Sequence, residues 1–206
     1  MRLGVFGGTF DPVHAGHLVA AETAREAATL DAVMFVPAGQ PWLKDGDVLG
    51  GKRDRMRMVE LAIEGNSQFL ASDMELHRPG PTYSADTLEE LVDRRPGDEL
   101  FLIVGMDALG DFDRWSRPRR VLELAKLVAV ARPGHSGLDA AQLDGISPGA
   151  SGNVIAAVGP VIGVSATDVR RRLGRGASIR YLVPKAVESY IYRHGMYGAT
   201  RVSSND

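Results

Sequence analysis

Residues 4–18 read Gly-Val-Phe-Gly-Gly-Thr-Phe-Asp-Pro-Val-His-Ala-Gly-His-Leu, an apolar strand running through a glycine pair into two histidines spaced three residues apart. Gly7 and Gly8 put no side chain between the backbone and a ligand. Gly16 does the same beside His17, where the exposed amides of a following helix begin and its dipole favours an anion. His14 and His17 add imidazole donors, neutral or charged, to those amides. This combination suits the holding of a polyphosphate; a tight strand-to-helix turn with two surface histidines is the bland alternative. Neither a G-x-G-x-x-G fingerprint nor a G-x-x-x-x-G-K-[ST] loop follows the first strand. The chain has no cysteine and no third ligand at motif spacing, so zinc is a poor reading of the two histidines.

Residues so placed need a frame. Strands are expected over Arg2–Phe6, Ala32–Pro37, Phe69–Leu76, Glu99–Val104, Leu127–Ala131 and Val154–Val158. Helices are expected over Leu18–Ala28, Arg53–Glu64 with apolar spacing at Met56, Val59 and Ile63, Ser84–Asp93 capped by Ser84, Pro118–Leu124, Ala166–Leu173 and Pro184–His194. This alternation predicts a doubly wound, mostly parallel α/β sheet covered on both faces, with ligands at the carboxyl ends of the strands. The Gly/Pro/Ser-rich stretch Pro133–Gly152 reads as a mobile insertion and Ala199–Asp206 as a frayed polar tail. Asp73 and Glu75 alternate along the third expected strand and read as a solvated face. His77, His135 and His194 read as surface or capping histidines.

The chain has 206 residues, enough for one domain with a full core, and its 44% hydrophobic and 24% charged content is ordinary for a globular protein. A formal net charge of −2 argues against a long nucleic acid as partner, so phosphate binding must come from local placement of cations and dipoles. No apolar run approaches a membrane span and no signal-like segment opens the chain, so the cytoplasm is the expected compartment and no membrane partner is expected. Absence of cysteine removes disulfide and thiol chemistry.

The opening motif resembles the H-x-G-H signature of nucleotidyltransferases, and the fuller Gly-Gly-Thr-Phe-Asp-Pro-Val-His-Ala-Gly-His-Leu is similar to the bacterial nicotinate-mononucleotide adenylyltransferase branch. Later stretches match in order: Pro41-Trp42-Leu43-Lys44, Thr82-Tyr83-Ser84-Ala85-Asp86-Thr87-Leu88, Gly105-Met106-Asp107-Ala108-Leu109 with Trp115, Arg132-Pro133-Gly134, and Val164-Ser165-Ala166-Thr167-Asp168-Val169-Arg170. The resemblance implies a Rossmann-like single domain over 1–198 with a short C-terminal helical part from about 164. It implies attack of the nicotinate mononucleotide phosphate on the α-phosphorus of ATP, with Mg2+ as charge shield and no protein-built metal site. A homo-oligomer is left open.

The same resemblance distributes roles. His17, His14, Lys44 and Arg170 are the catalytic candidates. ATP falls to Gly7, Gly8, Thr9, His14, Gly16, His17, Gly105, Asp107, Arg132, Ser165, Thr167 and Arg170, and the mononucleotide to Thr9, Phe10, Lys44, Thr82, Tyr83, Ser84 and Trp115. No general base is required, because a phosphate monoester with a second pKa of about 6 is mostly dianionic at neutral pH. Tyr83 and Ser84 at a helix start suit a carboxylate over a carboxamide, which favours nicotinate over nicotinamide. Trp115 is placed to stack on the pyridine and Asp107 to accept from ribose hydroxyls, against core and helix-cap readings. Arg171 and Arg172 match nothing and read as solvated surface. Two departures stand out: Ala166 where the pattern has serine, and Trp42 where many members carry proline. Transfer to phosphopantetheine or a polyol phosphate, and a dinucleotide sensor without turnover, are the rival functions.

Overall fold

The computed structural model describes residues 1–41, 48–131, 140–160 and 162–201. Its sheet is built from β1 (Arg2–Gly8), β2 (Ala32–Pro37), β3 (Phe69–Ala71), β4 (Glu99–Gly105), β5 (Lys126–Val130) and β6 (Val154–Ala157). The six strands lie in the order β3-β2-β1-β4-β5-β6 and every pairing is parallel. The order reverses between β1 and β4, which makes the crevice beyond their carboxyl ends the topological switch point where such sheets hold ligands.

The helices are α1 (Ala15–Ala27), α2 (Lys52–Ile63), α3 (Ser84–Arg94), the single turn α4 (Met106–Leu109), α5 (Pro118–Leu124), α6 (Ala140–Ile146), α7 (Ala166–Gly174) and α8 (Lys185–His194). Strand alternation splits the core in two. Val33, Phe35, Phe101 and Val128 face α1, α2, α7 and α8, while Leu3, Val5, Leu102 and Leu127 face α3, α5 and α6. The C-terminal helices therefore finish one face of the domain. Tyr190 of α8 donates to Asp54 of α2 at 2.8 Å, and Ala199 packs in the same core cluster, so the expected tail begins later than its polar composition suggests.

Several expectations need correction. The strand expected to reach Leu76 ends at Ala71, because Leu76 and Arg78 turn their amides back to the carbonyls of Asp73 and Glu75. Glu75 is consequently buried and not on a solvated face. The stretch Pro133–Gly152 contains α6 and a 3-10 turn at Ala150–Asn153, anchored by Leu143 and Ala150 in the core; its residues 133–139 lie outside the described ones. On α2 the deeply buried side chains are Arg55, Met58 and Val59. Arg55 is 1% exposed, a charge on the face expected to be apolar.

That arginine is spoken for by carbonyls. Its guanidinium donates to Thr9 O at 2.8 Å, Ala38 O at 2.7 Å and Gly50 O at 3.2 Å, joining the exits of β1 and β2 to the segment entering α2. Burial lowers its pKa, and the charge of Asp11 acts most strongly in the opposite sense. Replacing Arg55 by Ala should cost about 3–5 kcal/mol, the range for breaking a buried charge network and stranding its acceptors. Urea unfolding should show the loss as a lower midpoint, and a midpoint within error of wild type would mean that these loops close without the guanidinium.

Candidate active site

At the switch point lies a cleft of about 880 Å3. Gly7, Gly8 and Thr9 from the end of β1, and Gly105, Asp107 and Trp115 from the exit of β4, form its facing walls. A Cβ at Gly7 would meet nothing within 4 Å, so this backbone borders open ligand space, whereas one at Gly8 would lie 3.0 Å from the Phe10 ring. Phe10 itself is buried under the loop, its ring against Phe6, Phe35 and His17, and does not line the cleft.

His14, Gly16 and His17 all border the cleft. The helix starts earlier than expected, with His14 as N-cap, and most of its first amides are spent internally: Ala15 donates to Leu182 O at 2.8 Å, and His17 and Leu18 to His14 O. What this end of α1 presents to the cleft is therefore chiefly the two imidazoles rather than a row of amides. His14 N–H donates to His17 Nδ1 at 3.2 Å, which makes Nδ1 the acceptor and puts the neutral ring's proton on Nε2. The two rings stack at 3.7 Å, a spacing that disfavours both being cationic together.

On the opposite side Thr82 and Ser84 line the cleft. The N-cap of α3 is Tyr83, not Ser84 as expected, and no side chain caps it; the first intrahelical bond is Thr87 N–H to Tyr83 O. The amides of Ser84, Ala85 and Asp86 precede that bond and make this a strong anion-facing terminus. Ser165 and Asp168 bring the start of α7 to the same cleft. The Ser165 side chain is taken up in its own cap, accepting from Asp168 N–H at 3.1 Å and donating to the Asp168 carboxylate at 2.8 Å. Trp115 is half-buried against the fully buried Phe112, with ring centroids 5.0 Å apart, and one side of it faces the cleft. Asp107 is exposed and is not a cap, since Gly105 caps α4.

Not every expected residue converges. Arg170 donates to Asp11 O at 2.7 Å and stands 3.8 Å from the Asp11 carboxylate, and neither it nor Thr167 nor Tyr83 borders the cleft. Lys44 and Arg132, like Trp42, lie outside the described residues. His77 pairs with Asp73 at the surface and His194 packs on Tyr190, as surface histidines should; His135 lies outside the described residues. Arg171 pairs with Asp168 and Arg172 donates to Ser178 O. Among the described residues no group of three His, Cys, Asp or Glu side chains could hold a metal ion, and no helix is long and apolar enough to cross a membrane.

Sequence reading missed the support beneath the loop. Asp11 is buried and accepts from the amides of Leu49 at 2.8 Å and Gly50 at 2.9 Å and from the Tyr197 hydroxyl at 2.6 Å. A signal existed for Arg55, which sits three and four residues before Met58 and Val59 on one helical face; none existed for Tyr197, 186 residues from its partner.

Comparison with known proteins agrees with this geometry. Residues 5–172 match the model of the family described as cytidylyltransferase-like. A probable nicotinate-nucleotide adenylyltransferase of Thermus thermophilus is 46% identical over 197 residues, covering 96% of this chain and 100% of the relative. One from Thermomicrobium roseum is 43% identical over 95% of this chain and 91% of the relative. The structure of Plasmodium falciparum nicotinic acid mononucleotide adenylyltransferase complexed with NaAD superposes with a TM-score of 0.77 at 17% identity, covering 96% of this chain and 97% of that one, a likeness of fold.

Burial, then the hydrogen bond to Asp11, drives the Tyr197 phenol upward, beyond the range in which ordinary tyrosines ionise. Alkaline titration followed by phenolate absorbance should therefore give the same amplitude between about pH 9 and about pH 11 for wild type and Tyr197→Phe. Loss of one phenol's amplitude in the variant would show that the clamp is open to solvent.

Proposed function

The chain belongs to the cytidylyltransferase-like family, and from that premise we propose that the cleft between β1 and β4 is the reaction centre of a nicotinate-nucleotide adenylyltransferase. The protein transfers AMP from ATP to nicotinate mononucleotide, releasing pyrophosphate and forming nicotinate adenine dinucleotide. The phosphate oxygen of the mononucleotide forms a bond to the α-phosphorus as the bond to the β-phosphate bridge oxygen breaks. The observation that carries the assignment of the site is that the N-termini of α1, α3 and α7 open on one cleft, which suits two polyanions held end to end.

In this reading the Gly7-Gly8 backbone, His14, Gly16 and His17 take the ATP phosphates, with Ser165, Thr167 and the start of α7 beside them. The Nε2–H of His17 points its proton toward charge developing on the transferring group. Gly105, Asp107 and Arg132 serve the rest of the ATP. Arg170, whose Nη1 donates to the Asp11 carbonyl, is assigned to the β and γ oxygens through its remaining donors. Thr9, the Phe10 backbone and Lys44 hold the attacking phosphate, and Trp115 stacks on the pyridine, whose carboxylate meets the α3 amides with Thr82, Tyr83 and Ser84 around it. No side chain needs to act as general base, and catalysis rests on alignment and charge stabilisation.

A divalent cation accompanies nucleoside triphosphates in transfers of this type. The exposed Asp107 on the cleft wall fits Mg2+ that is carried mainly by phosphate oxygens and water, whereas the Asp168 oxygens are taken by Ser165 and Arg171. When bound it shields polyphosphate charge.

Mixing the protein with ATP and nicotinate mononucleotide should release pyrophosphate, and release only with phosphopantetheine or a polyol phosphate as acceptor would overturn the substrate assignment. His17→Ala should lower kcat by roughly 10²–10³ with the fold intact, the scale for deleting one donor to a developing charge. A kcat within about threefold of wild type would place His17 outside the phosphate shell.

A further inference from the structure

Glu75 is the acidic side chain that, among the described residues, is both buried and on the wall of the cleft. Its Oε1 accepts from Thr87 Oγ1 at 2.6 Å, one turn into α3. It also borders a void of about 10 Å3 shared with Ser84 and Thr87, at the limit for a single water. Its own turn returns to β2: a Cβ at Gly39 would overlap the Glu75 carbonyl oxygen, so only glycine allows this approach.

We infer that Glu75 is a specificity-determining residue of the acceptor subsite, a carboxylate on the inner side of the α3 N-terminus that gives up its charge when the substrate's ring carboxylate arrives there. This rests on the placement of the pyridine carboxylate at α3 proposed above. Two carboxylates at one helix end cannot both stay ionised without mutual repulsion, and the ring acid, facing the first amides of α3 from the cleft, keeps its charge better than the buried Glu75 does. Glu75 then takes a proton from solvent. A carboxamide makes no such demand.

The surroundings of Glu75 allow that exchange. Burial pushes its pKa above the ordinary carboxylate value, against hydrogen bonds from Thr87, Thr82 and the Gly39 amide and the pull of Arg78. The Arg78 guanidinium is itself divided among Thr87 Oγ1 at 2.8 Å, Asp86 O and the Glu90 carboxylate. Arg55 acts from α2 through charge alone. Asp73 and His77 pair with each other at the surface, and the Asp86 carboxylate pairs with Arg117. Tyr83 caps α3, Asp107 stands on the facing wall, and the sheet contributes the uncharged Gly7, Val36 and Leu102.

The experiment measures kcat/KM for nicotinate and for nicotinamide mononucleotide from about pH 5 to about pH 9 and takes their ratio, in which the shared phosphate and ATP ionisations cancel. In wild type the ratio should fall at least about threefold as pH rises through the Glu75 titration, because only the protonated form accepts the second carboxylate without repulsion. Glu75→Gln keeps an acceptor for Thr87 without the charge, so its ratio should stay at the low-pH level throughout. Thr87→Val removes a bond that favours the carboxylate, so the fall should move to higher pH, and this variant carries the test if Glu75→Gln does not fold. A wild-type ratio that favours nicotinate equally at every pH, or a Glu75→Gln ratio that falls as in wild type, overturns the role of Glu75. Equal efficiency on both mononucleotides at every pH refutes instead the placement of the carboxylate at α3.

Discussion

One buried guanidinium holds together the loops from which the cleft is made. Arg55 donates to the carbonyls of Thr9, Ala38 and Gly50, which belong to chain segments that leave the sheet and can no longer satisfy each other. A planar fork of donors can serve three carbonyls in diverging directions, which an ammonium on a flexible stem does far less well. Asp11 complements it, accepting from the amides of Leu49 and Gly50 and from Tyr197. Carbonyls go to the cation and amides to the anion. The supporting backbone is thereby satisfied from below, and the Gly7-Gly8 backbone above it borders open space.

That arrangement answers how a chain with a net charge of −2 can hold polyanions. Long-range attraction is weak, so selectivity for phosphate must come from dipoles and donors aimed at short range. The helix ends contribute unequally. At α1 most first-turn amides are already bonded, and the stacked imidazoles of His14 and His17 border the cleft beside them. At α3 the first amides precede any intrahelical bond, and Ser84 stands on the cleft wall. Imidazoles suit phosphates, whose charge shifts during transfer, while fixed amides suit a ring carboxylate whose position is set by its scaffold.

What the sequence made legible is what short spacing controls. The glycine pair and the histidines occupy neighbouring positions on one strand-to-helix connection, so their convergence follows from local geometry, and strand-helix alternation was enough to place that connection at the switch point of a parallel sheet. Burial of a charge is a tertiary outcome. Glu75 and Asp73 looked alike along an expected strand, yet the chain turns after Ala71, leaving Asp73 beside His77 at the surface and folding Glu75 under α3. The Arg170 position was equally hidden, since its partner Asp11 is 159 residues away. Its match to a motif marked its type but not the direction in which its side chain is turned.

The two sides of the cleft differ in how they can discriminate. A lysine or arginine meeting a substrate's carboxylate can swing away when a carboxamide comes instead, so the wrong ligand loses an attraction and suffers little else. Backbone amides at a helix start cannot turn aside; a carboxamide NH2 brought toward them leaves donor facing donor, and the unpaired groups make the penalty larger than the lost attraction alone. Such a site discriminates only as well as its first turn is held in place. In this protein that turn has no side-chain cap, and its fixation comes from the tertiary contacts of Thr87 to Glu75 and to Arg78, with the Thr82 amide on Gln40 O at 2.9 Å. With the ring carboxylate placed at α3 as proposed, the carboxyl group that braces the helix is the same group whose charge competes with the ligand, and substrate choice there becomes a balance between rigidity and electrostatics set by one buried side chain.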